Sequence, residues 1–384
     1  ATLTFTPDDW YTPQTVTVTG VNDNNSDGHK EYHISLSHVD SSGNGTGSGQ
    51  STVATQPPLQ NTGSSYNATS NKYVVSTLGH LSYIAQNSNS PTNFWDKNFI
   101  QTANIDATVT KYWDDADDTG GVTGDRYNDD NDATSTGNNE GFLPIGKNNI
   151  RPYTYFTGEY DGAGYSISGL TINRPNTSYI GLFGYTRGAS IRNLSLTNDN
   201  ITGYQKVGSL VGLTYSTIID NCSASGIVAL SGIAVNSSTS IAGGLVGYAF
   251  CSSSGSCTGI IRNSYSTVSV GGSGDYKGGL VGYLNTSNIL NSYSTGVVAT
   301  STNRGGLVGH KTSGSTITDS FYDATTAEQA DNTGKGTPKT TAQMKTLATF
   351  TDTATTGLST SWDYNNIWKI DTSGTINDGY PYLR

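Results

Sequence analysis

The sequence predicts an all-β chain whose main body is a parallel β-helix, a β-solenoid, and three observations carry that expectation. A glycine-bracketed apolar segment returns five times, as Gly181-Leu-Phe-Gly184, Gly208-Ser-Leu-Val-Gly212, Gly243-Gly-Leu-Val-Gly247, Gly278-Gly-Leu-Val-Gly282 and Gly305-Gly-Leu-Val-Gly309. An Ile followed two residues later by Asn or Asp keeps pace with it: Ile191/Asn193, Ile219/Asn221, Ile261/Asn263, Ile289/Asn291 and Ile317/Asp319. Successive Ile positions lie 28, 42, 28 and 28 residues apart, so one unit carries an insertion while the register around it survives. The apolar residues are β-branched or aromatic and come in short runs between Gly, Ser, Asn and Thr, without the i, i+3, i+4 stripe of a helix. Fixed self-similarity of this period with strand-like content is the signature of a solenoid.

In chain order, residues 1–40 read as a partial antiparallel β module. Leu3-Thr-Phe-Thr6, Thr15-Val-Thr-Val-Thr-Gly20 and Tyr32-His-Ile-Ser-Leu36 alternate with period two. A full sandwich needs about seven strands. Either the chain continues upstream, being processed or a piece of something longer, or a neighbour supplies the missing strands by strand addition and the protein polymerises. Between the second and third strands, Asp23, Asn25 and Asp27 alternate before Gly28, with Glu31 beyond. Oxygen ligands at alternate positions before a glycine turn suit Ca2+, although Ile34 stands where an EF-type loop needs Glu. The alternative is a solvated Asx-rich turn.

Residues 41–72 have the composition of a linker. Residues 73–141 read as an N-terminal cap, in which Leu78, Leu81 and Ile84 predict one short amphipathic helix over 77–86 that covers open strand edges. Within it Asp114, Asp115, Asp117 and Asp118 open an acidic loop, either a hard-cation site or a solvated one. Residues 142–325 are the expected β-helix. Residues 326–384, with a short helix after Pro338 and an aromatic-rich end (Trp362, Ile367, Trp368, Tyr380, Tyr382), read as the C-terminal cap.

Stacking in register places like residues over like residues. Ile167, Ile191, Ile219, Ile261, Ile289 and Ile317 are expected to form one core column, and Asn193, Asn221, Asn263 and Asn291 an amide ladder at a turn. Tyr185, Tyr248, Tyr283 and His310, interrupted by Leu213, form a further column, which either packs rung on rung or offers flat rings to a sugar. Cys251 and Cys257 bracket a flexible loop in the insertion and are expected to form a disulfide in an oxidising compartment. Cys222 is expected to be a small buried hydrophobe.

Only 13% of the 384 residues are charged, Gly numbers 47, and the net charge is −10. With no basic cluster, a phosphate backbone is repelled, so nucleic acid is excluded as a partner. No apolar run approaches the ~20 residues that cross a bilayer, so no membrane insertion is expected within this chain. The neutral-polar, β-rich composition is that of an extracellular protein. From Ser166 to Thr318 the only carboxylates are Asp199, Asp220 and Asp275, at different points of their units. Glycoside cleavage needs a facing pair, and the five His are scattered, so no catalytic residue is expected. Sequons such as Asn67-Ala-Thr69, Asn176-Thr-Ser178 and Asn236-Ser-Ser238 are abundant, as chance makes them in an Asn/Ser/Thr-rich chain, and glycan attachment is a minor expectation.

The Gly-Gly-Leu-Val-Gly segments with Ile-x-Asn strands, preceded by Phe156 to Ile172 and closed by Trp368-Lys-Ile-Asp371 and Asn377-Asp-Gly-Tyr-Pro-Tyr382, resemble the GLUG-motif repeat proteins of bacterial surfaces over about residues 73–384. Departures are Ser209, Leu182-Phe183 and Asp319. Residues 1–40 are similar to the later strands of Calx-beta or Ig-like adhesin repeats. The resemblance implies a secreted, surface-displayed or fibre-forming protein and brings no catalytic residues. The expected function is therefore a non-catalytic stalk or adhesive segment of a large adhesin, with a self-assembling filament or sheath subunit as the alternative and a polysaccharide lyase or hydrolase a distant third. Partners would be surface glycans or proteins, or copies of the chain itself, with Ca2+ the one cofactor considered.

Overall fold

A computed structural model describes residues 66–67, 71–86, 94–113, 140–146, 155–231, 240–252, 259–329 and 334–384. The Ca2+ candidates Asp23, Asn25, Asp27, Glu31, Asp114, Asp115, Asp117 and Asp118, and the whole 1–40 module, lie outside these residues.

The described chain is all-β with long parallel sheets, a β-helix-like architecture in which each unit lays its strands beside those of the unit before. One stack runs through Lys72–Val75, Phe99–Gln101, Glu159–Asp161, the start of Ser190–Gly208, the start of Ile218–Ser231, Ile260–Arg262, Asn288–Leu290 and Thr316–Thr318, every neighbour parallel. The parallel stack thus reaches back to Lys72, inside the stretch expected to be a cap. The helix Leu78–Gln86 leaves the first of these strands and buries Leu81 and Ile84.

Register fixes the core columns. Ile191, Ile219, Ile261, Ile289 and Ile317 lie one over the next. The first four are buried and Ile317, at the far end, is half-buried. Ile167 does not belong to this column. It pairs with Ile105 below and Leu196 above, and the place under Ile191 is taken by Tyr160, then Phe99 and Tyr73. Aromatic rings thus stand in the first units where the later units carry Ile. A second aliphatic column, Ile172, Ile201, Val228, Val270 and Val298, runs on another side. Each of these side chains removed from water contributes roughly 1.5–3 kcal/mol before entropy is counted.

The glycine-bracketed segments form a five-stranded parallel sheet of Phe183–Arg187, Val211–Tyr215, Val246–Phe250, Val281–Asn285 and Val308–Lys311. Phe183 and the four Val stack inward, with Leu182, Leu210, Leu245, Leu280 and Leu307 fully buried beside them. The last glycine of each segment lies against the preceding strand. A Cβ on Gly247 would meet the Gly212 oxygen at 2.6 Å and the Val207 nitrogen at 2.7 Å, so backbone touches backbone and no side chain fits.

The amide ladder expected on the Asn column forms at one step only. The Asn221 Nδ2 donates to Asn193 Oδ1 at 2.9 Å, whereas Asn263 Nδ2 donates to Asp220 Oδ1 at 2.9 Å and Asn291 Oδ1 has no partner among the described residues. A carboxylate is the stronger acceptor and takes the Asn263 amide away. What the whole column shares is backbone: Asn193, Asn221, Asn263, Asn291 and Asp319 all have φ between 47° and 56°, the left-handed region that Asn and Asp tolerate. The repeating ladder is made one residue later. Cys222 N–H donates to Ser264 Oγ at 3.1 Å, Ser264 N–H to Ser292 Oγ at 3.2 Å, and Ser292 N–H to Ser320 Oγ at 3.2 Å.

At the C-terminal end Thr337–Lys339 adds one more parallel strand to Phe321–Asp323. Thr340 then caps a short helix, Thr341–Met344, through a reciprocal bond with Gln343. The remaining chain turns back along the side of the stack. Met344, Phe350, Leu358, Trp362, Trp368 and Tyr380 pack over Tyr293 and Phe321 as a separate cluster. Trp362 Nε1 donates to the Asp319 carbonyl at 3.0 Å and fixes this segment to the last Ile-x-Asp corner.

Candidate binding face

The outward side of the five-stranded sheet carries two columns. Tyr185, Leu213, Tyr248, Tyr283 and His310 occupy one; Arg187, Tyr215, Phe250 and Asn285 occupy the other, two residues further on and on the same side. A third column flanks them from the preceding strands, with Tyr276 paired to Ile241 and Asn303, and with Tyr179 and Lys206 at its start.

These side chains touch in an unbroken line across all five strands. Tyr179 stacks on Tyr185 at 6.2 Å between centroids, and Tyr185 meets Tyr155 edge-on at 5.4 Å. The Arg187 guanidinium lies between Tyr155 and Tyr215, 5.2 and 5.1 Å from their centroids, and donates through Nη1 to the Tyr155 hydroxyl at 2.8 Å. Tyr215 meets Phe250 at 5.2 Å, Phe250 meets Tyr248 at 6.1 Å, Tyr248 meets Tyr283 at 5.1 Å, and Tyr283 meets His310 at 4.6 Å. With strands spaced about 4.8 Å apart, the strip is about 19 Å long.

Backbone geometry at the flank brings two of these groups into place. Tyr179 has φ 67° and Lys206 φ 56°, left-handed values that a bulky residue adopts only under constraint. The Lys206 Nζ sits 4.8 Å from the centre of the Tyr179 ring.

Electrostatics along the strip are simple. Burial raises the pKa of Tyr185, against an opposing pull from Arg187, and burial with neighbouring Tyr248 and Tyr276 raises that of Tyr283. Their hydroxyls stay protonated donors. Burial, then the charge of Lys335, lowers His310, and burial lowers Lys206. None of the five strands contains Asp or Glu.

Carboxylates gather on another side. Asp161, Arg192, Asp220 and Arg262 register as one column of alternating charge. Arg192 binds Asp161 at 3.0 Å, Lys72 binds Glu159 at 2.7 Å, and Arg262 binds Asp220 at 2.7 Å. Burial opposes ionisation of Asp161, but bonds from Asn193, Ala163 and Arg192 prevail and hold its pKa low. Glu159 and Asp161 are thus each paired with a cation.

Cys251 is disulfide-bonded, while its expected partner Cys257 lies outside the described residues. Cys222 is a free thiol, fully buried, its pKa pushed up to about 12 by that burial. Among the described residues no group of three His, Cys, Asp or Glu is placed to hold a metal ion, and no helix is long and apolar enough to cross a membrane.

The aromatic column at Tyr185 was legible from its place after each tetrad. Arg187, Tyr215 and Phe250 follow it by two residues, a period-two signal in the same strands. Tyr155, Tyr179 and Lys206 had no such signal, because their positions follow from chain crossings and a left-handed backbone.

Comparison with known proteins agrees with the repeat. The model of the GLUG motif matches residues 203–229. A protein of Evansella cellulosilytica described as a Gly-rich membrane protein is 39% identical over 102 residues, which are 25% of this chain and 10% of that protein. Halomucin of Haloquadratum walsbyi is 40% identical over 93 residues, 24% of this chain and 1% of that protein. The chain therefore matches a small part of much longer relatives. The solved structure of an IgA1 protease superposes with a TM-score of 0.42 at 21% identity, over 65% of this chain and 16% of that one. The motif and the two relatives fit a GLUG-repeat protein.

Proposed function

We propose that this chain is a non-catalytic β-solenoid segment, a parallel β-helix, of a large extracellular surface protein, and that it serves as a stalk with an adhesive side. The observation that carries the reading is the outward strip of rings from Tyr179 to His310, bridged at one step by the Arg187 guanidinium and held by a stack whose core columns pass from unit to unit. A solenoid presents the same chemistry at each rung and so makes an extended surface. A disulfide at Cys251 and a composition poor in charge suit an oxidising compartment outside the cell. The relatives named a membrane protein and a halomucin support the surface location. Ion pairing of Glu159 and Asp161 and the scatter of the other acids favour binding over turnover. Assembly through residues 1–40 has no described residue behind it and is not part of this proposal.

Antibodies raised against the purified chain should label intact cells of the source organism, and beads coated with the chain should be retained on extracellular matrix from those cells above albumin-coated controls. Labelling seen only after lysis, or equal retention of both bead types, would overturn the reading.

A further inference from the structure

We propose that the ring strip on the tetrad sheet is a binding face for an acidic polysaccharide, a chain of pyranose rings bearing carboxylates. The inference rests on the reading of this chain as an adhesive surface segment and names the partner of that side.

Two aromatic columns in the same molecule receive opposite treatment. Tyr265, Tyr293 and Phe321 also stack in register, and there the C-terminal segment folds back to cover them, leaving Tyr293 and Phe321 at 0% exposure. Trp368 approaches Tyr265 and Tyr293, and Asn377 Nδ2 donates to the Tyr293 hydroxyl at 2.8 Å. This column is structural, and the chain seals it. On the tetrad sheet Tyr179, Tyr185, Tyr215, Tyr248, Tyr283 and His310 are half-buried, and no described segment lies over them as the C-terminal segment lies over Tyr293. Packing between rungs explains why the rings touch. It does not require a line of Tyr hydroxyls on this side, where Val or Thr would serve a strand equally.

Charge selects among the partners that flat rings can hold. The chain as a whole has 30 Asp and Glu against 20 Lys and Arg. From Tyr155 to Gln329 there are eight of each sign, so the stack is balanced, and Asp275, half-buried just before Tyr276, is the acid that borders the strip's flanking column. Glu159, Asp161 and Asp220 pair with Lys72, Arg192 and Arg262 on the Ile side. Asp199 is buried, and Asp319 and Asp323 are engaged by Ser359 and Tyr380 of the C-terminal segment. The strip keeps Arg187 and Lys206 and has no carboxylate on its five strands. Arg187 is exposed, and two flanking rings and the Tyr155 hydroxyl hold its planar guanidinium. Such a pre-ordered fork suits a carboxylate. Lys206 adds a second cation beside Tyr179. Pyranose C–H faces lie on the phenol rings, sugar hydroxyls accept from Tyr O–H, and uronate carboxylates reach the two cations. A nucleic acid would share the ring and cation contacts but meets a protein of net charge −10 at higher charge density.

The test is affinity electrophoresis of the full chain through gels containing polygalacturonate or dextran, with sedimentation of the free chain alongside. Retardation is expected in polygalacturonate, weak or none in dextran, and the effect should fall as salt rises. Tyr248→Ala with Tyr283→Ala removes the central rings, and Arg187→Gln with Lys206→Gln removes the cations without opening a cavity. Each pair should weaken retardation by about tenfold, with the thermal unfolding midpoint of the charge variant kept as a check on folding. Four results would overturn the proposal: no retardation of the wild type, equal retardation in dextran, retardation unchanged in both variants, or a dimer that both variants dissolve while polysaccharide has no effect. Surface labelling and bead retention that persist alongside any of these leave the adhesive reading standing and remove only the acidic glycan.

Discussion

Ser292 Oγ accepts the N–H of Ser264 from the preceding unit at 3.2 Å and donates to its own chain at Leu290 O, 2.8 Å away. Ser264 and Ser320 repeat the pattern on Arg262 O and Thr318 O, both at 2.7 Å. The corner residue just before each Ser has a left-handed backbone, which interrupts the regular strand ladder, and the hydroxyl bridges the gap from inside the core. Cys222 holds the first place in the series, with its Sγ 3.4 Å from Asp220 O.

Replacing Ser292 by Ala should leave the Ser264 N–H and the Leu290 carbonyl buried without that partner, at a cost of about 1–3 kcal/mol. Ser292→Cys keeps a weak donor and acceptor and should cost less. Urea unfolding monitored by circular dichroism separates the two; a Ser292→Ala loss below about 0.5 kcal/mol would show that the hydroxyl's bonds contribute nothing.

Position along the Ile column should set the cost of truncation. Ile261→Ala, inside the stack, should lose about 2–5 kcal/mol, as large-to-small core changes do. Ile317→Ala, half-buried at the last of these strands, should lose distinctly less. Similar unfolding midpoints for the two variants would contradict the burial gradient.

Glycines of the tetrads should tolerate no Cβ, while an open glycine should. At Gly282 a Cβ would meet the Ala242 oxygen and Ile241 Cγ2, each at 2.6 Å; at Gly271 it would meet nothing within 4 Å. Gly282→Ala should be among the strongly destabilising substitutions, more than about 2 kcal/mol, and Gly271→Ala should stay within about 0.5 kcal/mol of the parent. Thermal melts of both variants check this directly.

Asp199 should make stability fall as pH rises. Its side chain is buried at a point where the 190–208 strand carries one extra residue against Gly226, and neither carboxyl oxygen has a hydrogen-bond partner of normal geometry among the described residues. Burial raises its pKa well above the ordinary value, against a smaller lowering by the Leu170 amide. The folded state therefore holds a proton that the unfolded chain releases near pH 3.9. Stability from this group is complete below that pH, declines as pH climbs towards the raised folded value, and is lost above it. Asp199→Asn removes the titration, so its unfolding midpoint should gain on the wild type as pH rises from about 4 to 7. Parallel pH profiles of the two proteins would refute the assignment.

The recurrence of the tetrad, the Ile191 to Ile317 column and the aromatic column at Tyr185 were legible in the sequence, because residues that stack in register obey the same steric rule in every unit. Leu and Val repeat where the core is apolar, and Gly repeats where backbones touch. Tertiary structure alone decided which strand lies beneath the first repeat. Tyr160, Phe99 and Tyr73, not Ile167, continue the Ile191 column, since the early units break the period and only space filling selects their rings. It also decided that the corner Asn serves a left-handed backbone and the following Ser carries the ladder. Composition cannot distinguish two polar neighbours until φ determines which of them faces the interior.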